Sequence, residues 1–230
     1  MLKKERHVLI ILPHPDDEAF GISGTISAYR KMDVPVTYAC LTLGEMGRNL
    51  GNPAFANRET LPQIRKAELE KACAAMGLDD LRLMGFRDKT IEFEDDEKMV
   101  NLVEDLIAET NPSLVISFYP GFSVHPDHEA SARAVVRAIR RMKETERPKL
   151  YAVAFANNTE EVLGTPDIIH DVQETTDQKL AALKAHISQT VWMMKETEAK
   201  LAAKDPEMIK WLRYERFFSY KWDEDFEETF

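Results

Sequence analysis

Val8-Leu9-Ile10-Ile11-Leu12-Pro13-His14-Pro15-Asp16-Asp17-Glu18 decides the fold. Its first five residues are uninterruptedly apolar and read as a buried strand, and Glu18 opens a segment of helical period that runs to residue 32. The same alternation continues along the chain. Strands are expected at residues 7–12, 34–43, 81–85, 113–119, 149–156 and 168–172, and helices at 18–32, 60–76, 96–110 and 126–142. After residue 172 the pattern turns helical, at 178–186, 191–203 and 207–217, and an acidic, aromatic tail covers 222–230. Strands alternating with helices predict an α/β chain with a mainly parallel sheet, a Rossmann-like three-layer fold. In open sheets of this kind ligands bind beyond the carboxyl ends of the strands.

Composition narrows the function. At 230 residues, 44% hydrophobic and 30% charged, the chain has the size and balance of one globular domain, 1–230. No repeat or linker divides it. A net charge of -10 argues against nucleic acid as a partner, because that binding draws on a basic surface. Lys3, Lys4 and Arg6 precede only five apolar residues, short of the roughly 7–15 of a signal-peptide core, and no run approaches a membrane span, so a cytoplasmic protein without a membrane partner is expected. Cys40 and Cys73 lack CxxC spacing and read as small buried hydrophobes.

Three consecutive carboxylates beside a histidine, at the mouth of a buried strand, repel one another unless a cation compensates. A companion motif, His125-Pro126-Asp127-His128, follows the apolar run 114–118 and also opens a helix, with Pro126 suited to its first position. Both motifs then lie on one edge of the sheet. Hydrolytic zinc takes three ligands from His and Asp or Glu, and His14, Asp17 and His128 supply such a set. Adjacent helical residues diverge by about 100°, so Asp16 points away from Asp17 and is the candidate general base. His125 is the second catalytic candidate, polarising the carbonyl, holding the oxyanion or protonating the leaving amine. Glu18 and Asp127 are expected to support the ligands from behind. The ligand types leave Fe2+ or another divalent metal open, as in two-His-one-carboxylate iron centres, and a metal-binding protein without catalysis would need neither Asp16 nor His125. A dinucleotide site would need GxGxxG where this chain has HPDDE.

HPDDE and HPDH, with Thr42-Leu43-Gly44-Glu45, Ile64-Arg65-Lys66-Ala67-Glu68, Met76-Gly77-Leu78, Gly85-Phe86-Arg87-Asp88 and Lys184-Ala185-His186-Ile187-Ser188-Gln189, resemble the LmbE-like, or PIG-L, family of zinc-dependent N-acetylglucosaminyl deacetylases. The resemblance covers most of the chain. It implies zinc on His14, Asp17 and His128, Asp16 as base and His125 in acid or oxyanion chemistry. The chain looks most like the bacillithiol-pathway deacetylases, which remove acetate from N-acetylglucosaminyl malate. The alternative in the same chemistry is a bacillithiol S-conjugate amidase. A homo-oligomer, trimer or hexamer, is also implied.

The glycine- and proline-rich stretch 44–63 leaves the end of a strand and is the candidate substrate loop. Arg48, Arg58, Arg65 and Lys66 outnumber Glu45 and Glu59 there, which favours an anionic ligand. Arg65 corresponds to a substrate-contacting arginine of the family. Glu45, Arg48 and Arg65 are therefore the expected substrate contacts, with His186 as a fourth, which on a helix with Leu180, Leu183 and Ile187 reads equally as a core-edge histidine. Some relatives carry an arginine immediately before HPDH where this chain has Val124, so the malate pocket is expected to differ.

Overall fold

The computed structural model describes residues 2–223; residues 224–230, most of the acidic tail, lie outside the described residues. One seven-stranded sheet organises the chain, in the order β3-β2-β1-β4-β5-β7-β6. Strands β1 (Val8–Leu12), β2 (Val36–Thr42), β3 (Asp80–Phe86), β4 (Leu114–Phe118) and β5 (Lys149–Val153) pair in parallel. β6 (Ile168–Asp171) and β7 (Tyr214–Ser219) complete the sheet, β7 antiparallel to both β5 and β6.

The unbroken apolar run of β1 has a direct cause: both its faces are covered. Val8, Ile10 and Leu12 pack into one core with Ile26 and Tyr29 of α2 (Ser23–Lys31), Leu69 and Met76 of α3 (Leu61–Met76), and Leu183 of the helix Thr176–Ala185. Leu9 and Ile11 face a second core with Val100 and Val103 of α4 (Asp96–Thr110) and Val135 and Ile139 of α5 (Pro126–Arg141). Fully burying each such side chain contributes roughly 1.5–3 kcal/mol. The central strand is thereby fixed in register, and with it the loop that begins at Pro13. Among the described residues no helix is long and apolar enough to cross a membrane.

The structure corrects two sequence expectations. Residues 18–32 form two helices, α1 (Asp17–Gly21) and α2, separated at Ile22 (φ -141, ψ 0). The amides of Gly24 and Thr25 donate to the Glu215 carboxylate at 2.9 and 2.7 Å, so a buried anion caps the second helix where a continuous one would have used those groups internally. Residues 207–217 are likewise not one helix. The helix Pro206–Arg213 ends where β7 begins. Glu215, buried and paired with Lys179 at 3.0 Å, occupies an inward position on β7 and hides the strand alternation.

Candidate active site

β1 and β4 are neighbours, with Val8 beside Leu114 and Ile10 beside Ile116. From β1 the chain builds β2 and β3 to one side, then returns to place β4 on the other, and the crevice at this reversal receives both histidine motifs. His14 follows β1, His125 and His128 follow β4, Asp88 follows β3, and the loop carrying Arg48 follows β2.

Hydrogen-bond partners fix which nitrogens carry protons. The His128 ring stacks on Phe118, 4.0 Å between centroids, and its Nδ1 lies 3.1 Å from the Ser123 carbonyl oxygen. A carbonyl only accepts, so Nδ1 holds the hydrogen and Nε2 presents a lone pair. His14 Nε2 lies 3.2 Å from both Asp127 Oδ2 and Asp88 Oδ1, which again places the hydrogen there and leaves Nδ1 as a lone pair. These two lone pairs meet at 3.1 Å, with Asp17 Oδ1 3.3 Å from His128 Nε2 and Asp17 Oδ2 3.5 Å from His14 Nδ1. Three acceptors converge without a donor among them.

Such an arrangement demands a proton or a cation in its centre. Burial works against charge on His14, yet its bonds to Asp127, Asp17 and Asp88 hold it well above the usual imidazole range. Burial would raise Asp17, but His128 and His14 hold it far below the usual carboxylate range. The proton affinity marks the place a metal fits, and two imidazole nitrogens with one carboxylate are the donor set of hydrolytic zinc.

Two other groups also cluster, His14-His125-His128 and His14-Asp88-Asp127. Their remaining members have other work. Asp127, 0% exposed, accepts from the Lys89 amide at 2.7 Å and the Ile91 amide at 3.1 Å, and Asp88 accepts from the Met46 amide at 2.8 Å. Both carboxylates orient His14 from behind. Glu18 does not share that role: it accepts from the Asp16 amide at 3.1 Å and Tyr38 Oη at 3.3 Å, and bonds His186 Nε2. His125 caps α5, its Nδ1 accepting from the Asp127 amide at 3.2 Å, which leaves Nε2 as the protonated nitrogen. Burial, first, and the nearby His14 and His128 rings lower its pKa, which favours the neutral ring.

Asp16 has left-handed backbone (φ 104), and its carboxylate turns to Arg65 Nη2 at 3.0 Å while that of Asp17 faces the histidines. Burial pushes the Asp16 carboxyl up to about 6 against the opposing pull of Arg65. Arg65, 3% exposed, also donates to the Gly44 carbonyl at 2.9 Å and to the Pro15 carbonyl. A Cβ on Gly44 would stand 2.0 Å from Arg65 Nη1, so the glycine is what lets the guanidinium in.

A cavity of about 500 Å³ opens over this cluster, a size suited to a small ligand. His14, Asp16 and His125 line it from the motifs, Arg48 and Lys89 from the surrounding loops, and Gln189 from the first turn of the helix Ile187–Ala202. Of the expected substrate contacts, Arg48 lines the cavity, and Arg65 reaches it as a guanidinium already engaged with Asp16. His186 does not face it: the side chain is 0% exposed and bonds Glu18, which removes it from substrate reach. Glu45 also lies off the cavity wall, one carboxylate oxygen buried without a partner among the described residues. Asp88 and Gln189 close two of the stretches that carry the family resemblance, but the sequence assigned neither a role, and Lys89 was not singled out. The position of Asp88 just past a strand end was the available signal.

The PIG-L family signature, GlcNAc-PI de-N-acetylase, matches residues 9–139, a span that includes every residue of the convergent cluster. The chain belongs to the PIG-L family. Among its PIG-L relatives, the probable N-acetyl-alpha-D-glucosaminyl L-malate deacetylase 2 of Bacillus cereus is 55% identical over 219 residues, covering 95% of this chain and 100% of that protein. The protein of the same description from Bacillus subtilis is 52% identical over 220 residues, covering 96% and 100%. The N,N'-diacetylchitobiose deacetylase of Pyrococcus horikoshii superposes with a TM-score of 0.70 at 24% identity, over 94% of this chain and 84% of that one, and speaks to the fold alone.

Proposed function

We propose that this PIG-L chain is a zinc-dependent N-deacetylase that hydrolyses N-acetyl-α-D-glucosaminyl L-malate to acetate and the free amine. The observation that carries the reading is the donor-free convergence of His14 Nδ1, His128 Nε2 and the Asp17 carboxylate, with Asp16 beside it. The substrate follows from relatives 51–55% identical that bear that description. When bound by His14, Asp17 and His128, zinc would supply Lewis acidity toward the carbonyl and raise the acidity of water.

The chain's own groups divide the remaining work. Asp16, poised by burial near 6, takes the proton of the attacking water and returns it to the departing nitrogen, so one carboxyl serves as base and then acid. His125, neutral and protonated on Nε2, donates a hydrogen bond to the developing oxyanion, which suits it better than proton transfer. Arg65 holds the Asp16 carboxylate in place.

The test is acetate release from the malate glucosaminide by purified protein, before chelation, after it, and after zinc is restored. Asp16→Ala should retain zinc and lose about 10²–10⁴-fold in kcat. Full activity in that variant would sink the base assignment. No release by the zinc-loaded parent would sink the substrate, and thiol-sugar S-conjugates would be assayed next.

A further inference from the structure

The chain carries a net charge of -10, yet the loops around the cavity are locally basic. Most of that positive charge is spoken for. Arg58 Nη1 donates to the carbonyls of Glu45 and Gly47 at 3.3 and 3.2 Å, Lys66 pairs with Glu70 at 3.8 Å, and Arg65 is taken by Asp16 and two carbonyls. Arg48 and Lys89 differ. Both line the cavity, from the loops after β2 and β3, and neither side chain has a hydrogen-bond or ion-pair partner among the described residues.

Lys89 also occupies a backbone position (φ 63) that favours glycine. Its amide is anchored at 2.7 Å to Asp127, the carboxylate that orients His14, so the lysine is held in a fixed relation to the reacting centre despite the strain. The acidic groups of the wall are mostly engaged already: Asp16 with Arg65, and Asp88 with His14. Glu92 is the one remaining acid there, set against two free cations.

We propose that Arg48 and Lys89 form a dicarboxylate-reading subsite of the cavity, which sets its specificity for a glycoside with two carboxylates on the aglycone. The inference rests on the malate reading above for its substrate. A guanidinium grips one carboxylate through paired N–H donors, and an ammonium supplies a point charge for the other. Asp16 and His125 act at the acetamide, and the subsite selects which glucosaminide is presented to them.

L-malate itself is the probe, with its binding measured by calorimetry on metal-free and on zinc-loaded protein, so that chelation of the metal is separated from the wall. Lys89→Gly and Arg48→Met should each weaken L-malate roughly tenfold in both forms. Lys89→Gly should at the same time raise the Tm, because glycine relieves the left-handed backbone; that gain rules out misfolding as the cause of the lost affinity. Glu92→Gln should tighten binding. In turnover, the ratio of kcat/KM for the malate glycoside over that for methyl N-acetylglucosaminide should fall roughly tenfold in either cation variant.

The subsite is overturned if the unsubstituted chain does not bind L-malate, or if both variants bind it as the parent does. A chain that binds malate through these two residues and yet releases no acetate keeps the subsite and loses the proposed reaction. Release of acetate with an unchanged specificity ratio does the reverse.

Discussion

Asp127→Asn is the sharpest perturbation of the site, because it changes one buried atom and leaves the shape alone. The carboxylate accepts three hydrogen bonds: Oδ2 from the Lys89 amide and His14 Nε2, Oδ1 from the Ile91 amide. An asparagine has one acceptor oxygen. Its better orientation keeps the two bonds at Oδ2 and turns an NH2 toward the Ile91 N–H, leaving two buried donors facing each other. That unsatisfied contact should cost the metal-free protein about 1–3 kcal/mol of stability. The lost charge also weakens His14 as a ligand, so zinc affinity should fall roughly ten- to hundredfold. Proton competition gives this loss a pH signature. The carboxylates hold His14 well above its usual pKa, so in the parent a proton opposes the metal across neutral pH. Removing Asp127 lowers that proton affinity, which partly offsets the weaker binding in acid and not in base. The apparent loss should therefore be larger at pH 8 than at pH 6. Competition with a chromogenic chelator at the two pH values reads it directly, and thermal melts of the chelated protein read the stability. A variant that binds zinc as tightly as the parent at both values would refute the role of Asp127 and the tautomer argument built on it.

Two further outcomes test the base and its support. Asp16 must be ionised to accept a proton, so activity should rise with pH along an acid limb at or below about 6, and Arg65→Met, which removes the cation that lowers the Asp16 pKa, should move that limb upward; an unmoved kcat/KM profile would separate Arg65 from the base. Gly44→Ala places a Cβ 2.0 Å from Arg65 Nη1 at φ 61, so it should mimic the Arg65 variant in activity and lose about 1–2 kcal/mol in denaturant melts from the left-handed backbone alone, while normal turnover would show that the arginine's seat is dispensable.

The parts of this molecule that could be read from sequence are those whose cause is local. The run of β1 and the turns that follow β1 and β4 announced strands, loops and helix starts, and the pairing of those two strands then brought His14, Asp17 and His128 together. What escaped reading has its cause far along the chain. The break at Ile22 answers to a carboxylate 191 residues from the Gly24 amide it accepts. β7 looked helical because Glu215, a charge, sits where a strand would show an apolar residue. His186 lies at the junction between the helices Thr176–Ala185 and Ile187–Ala202, where a helical period extended through it would not place it, and only the buried Glu18 opposite explains why a polar ring belongs there. Asp88 and Lys89 reach the cavity from the turn after β3 and Gln189 from the first turn of the helix Ile187–Ala202, and no local pattern records that meeting.

The insertion of β7 between β5 and β6 has a consequence for synthesis. The strands that carry the site residues, β1 to β4, and β5 beside them, leave the ribosome before residue 154, and α/β layers can begin to assemble on them as they emerge. β6 pairs with β7 alone, so it finds no partner until residues 214–219 are translated. Until then β5 offers an open edge, which is a template for another chain. A product truncated near residue 213 would thus keep every metal-site residue while exposing that edge. Its defect would be one of solubility and turnover in the cell before it was one of catalysis.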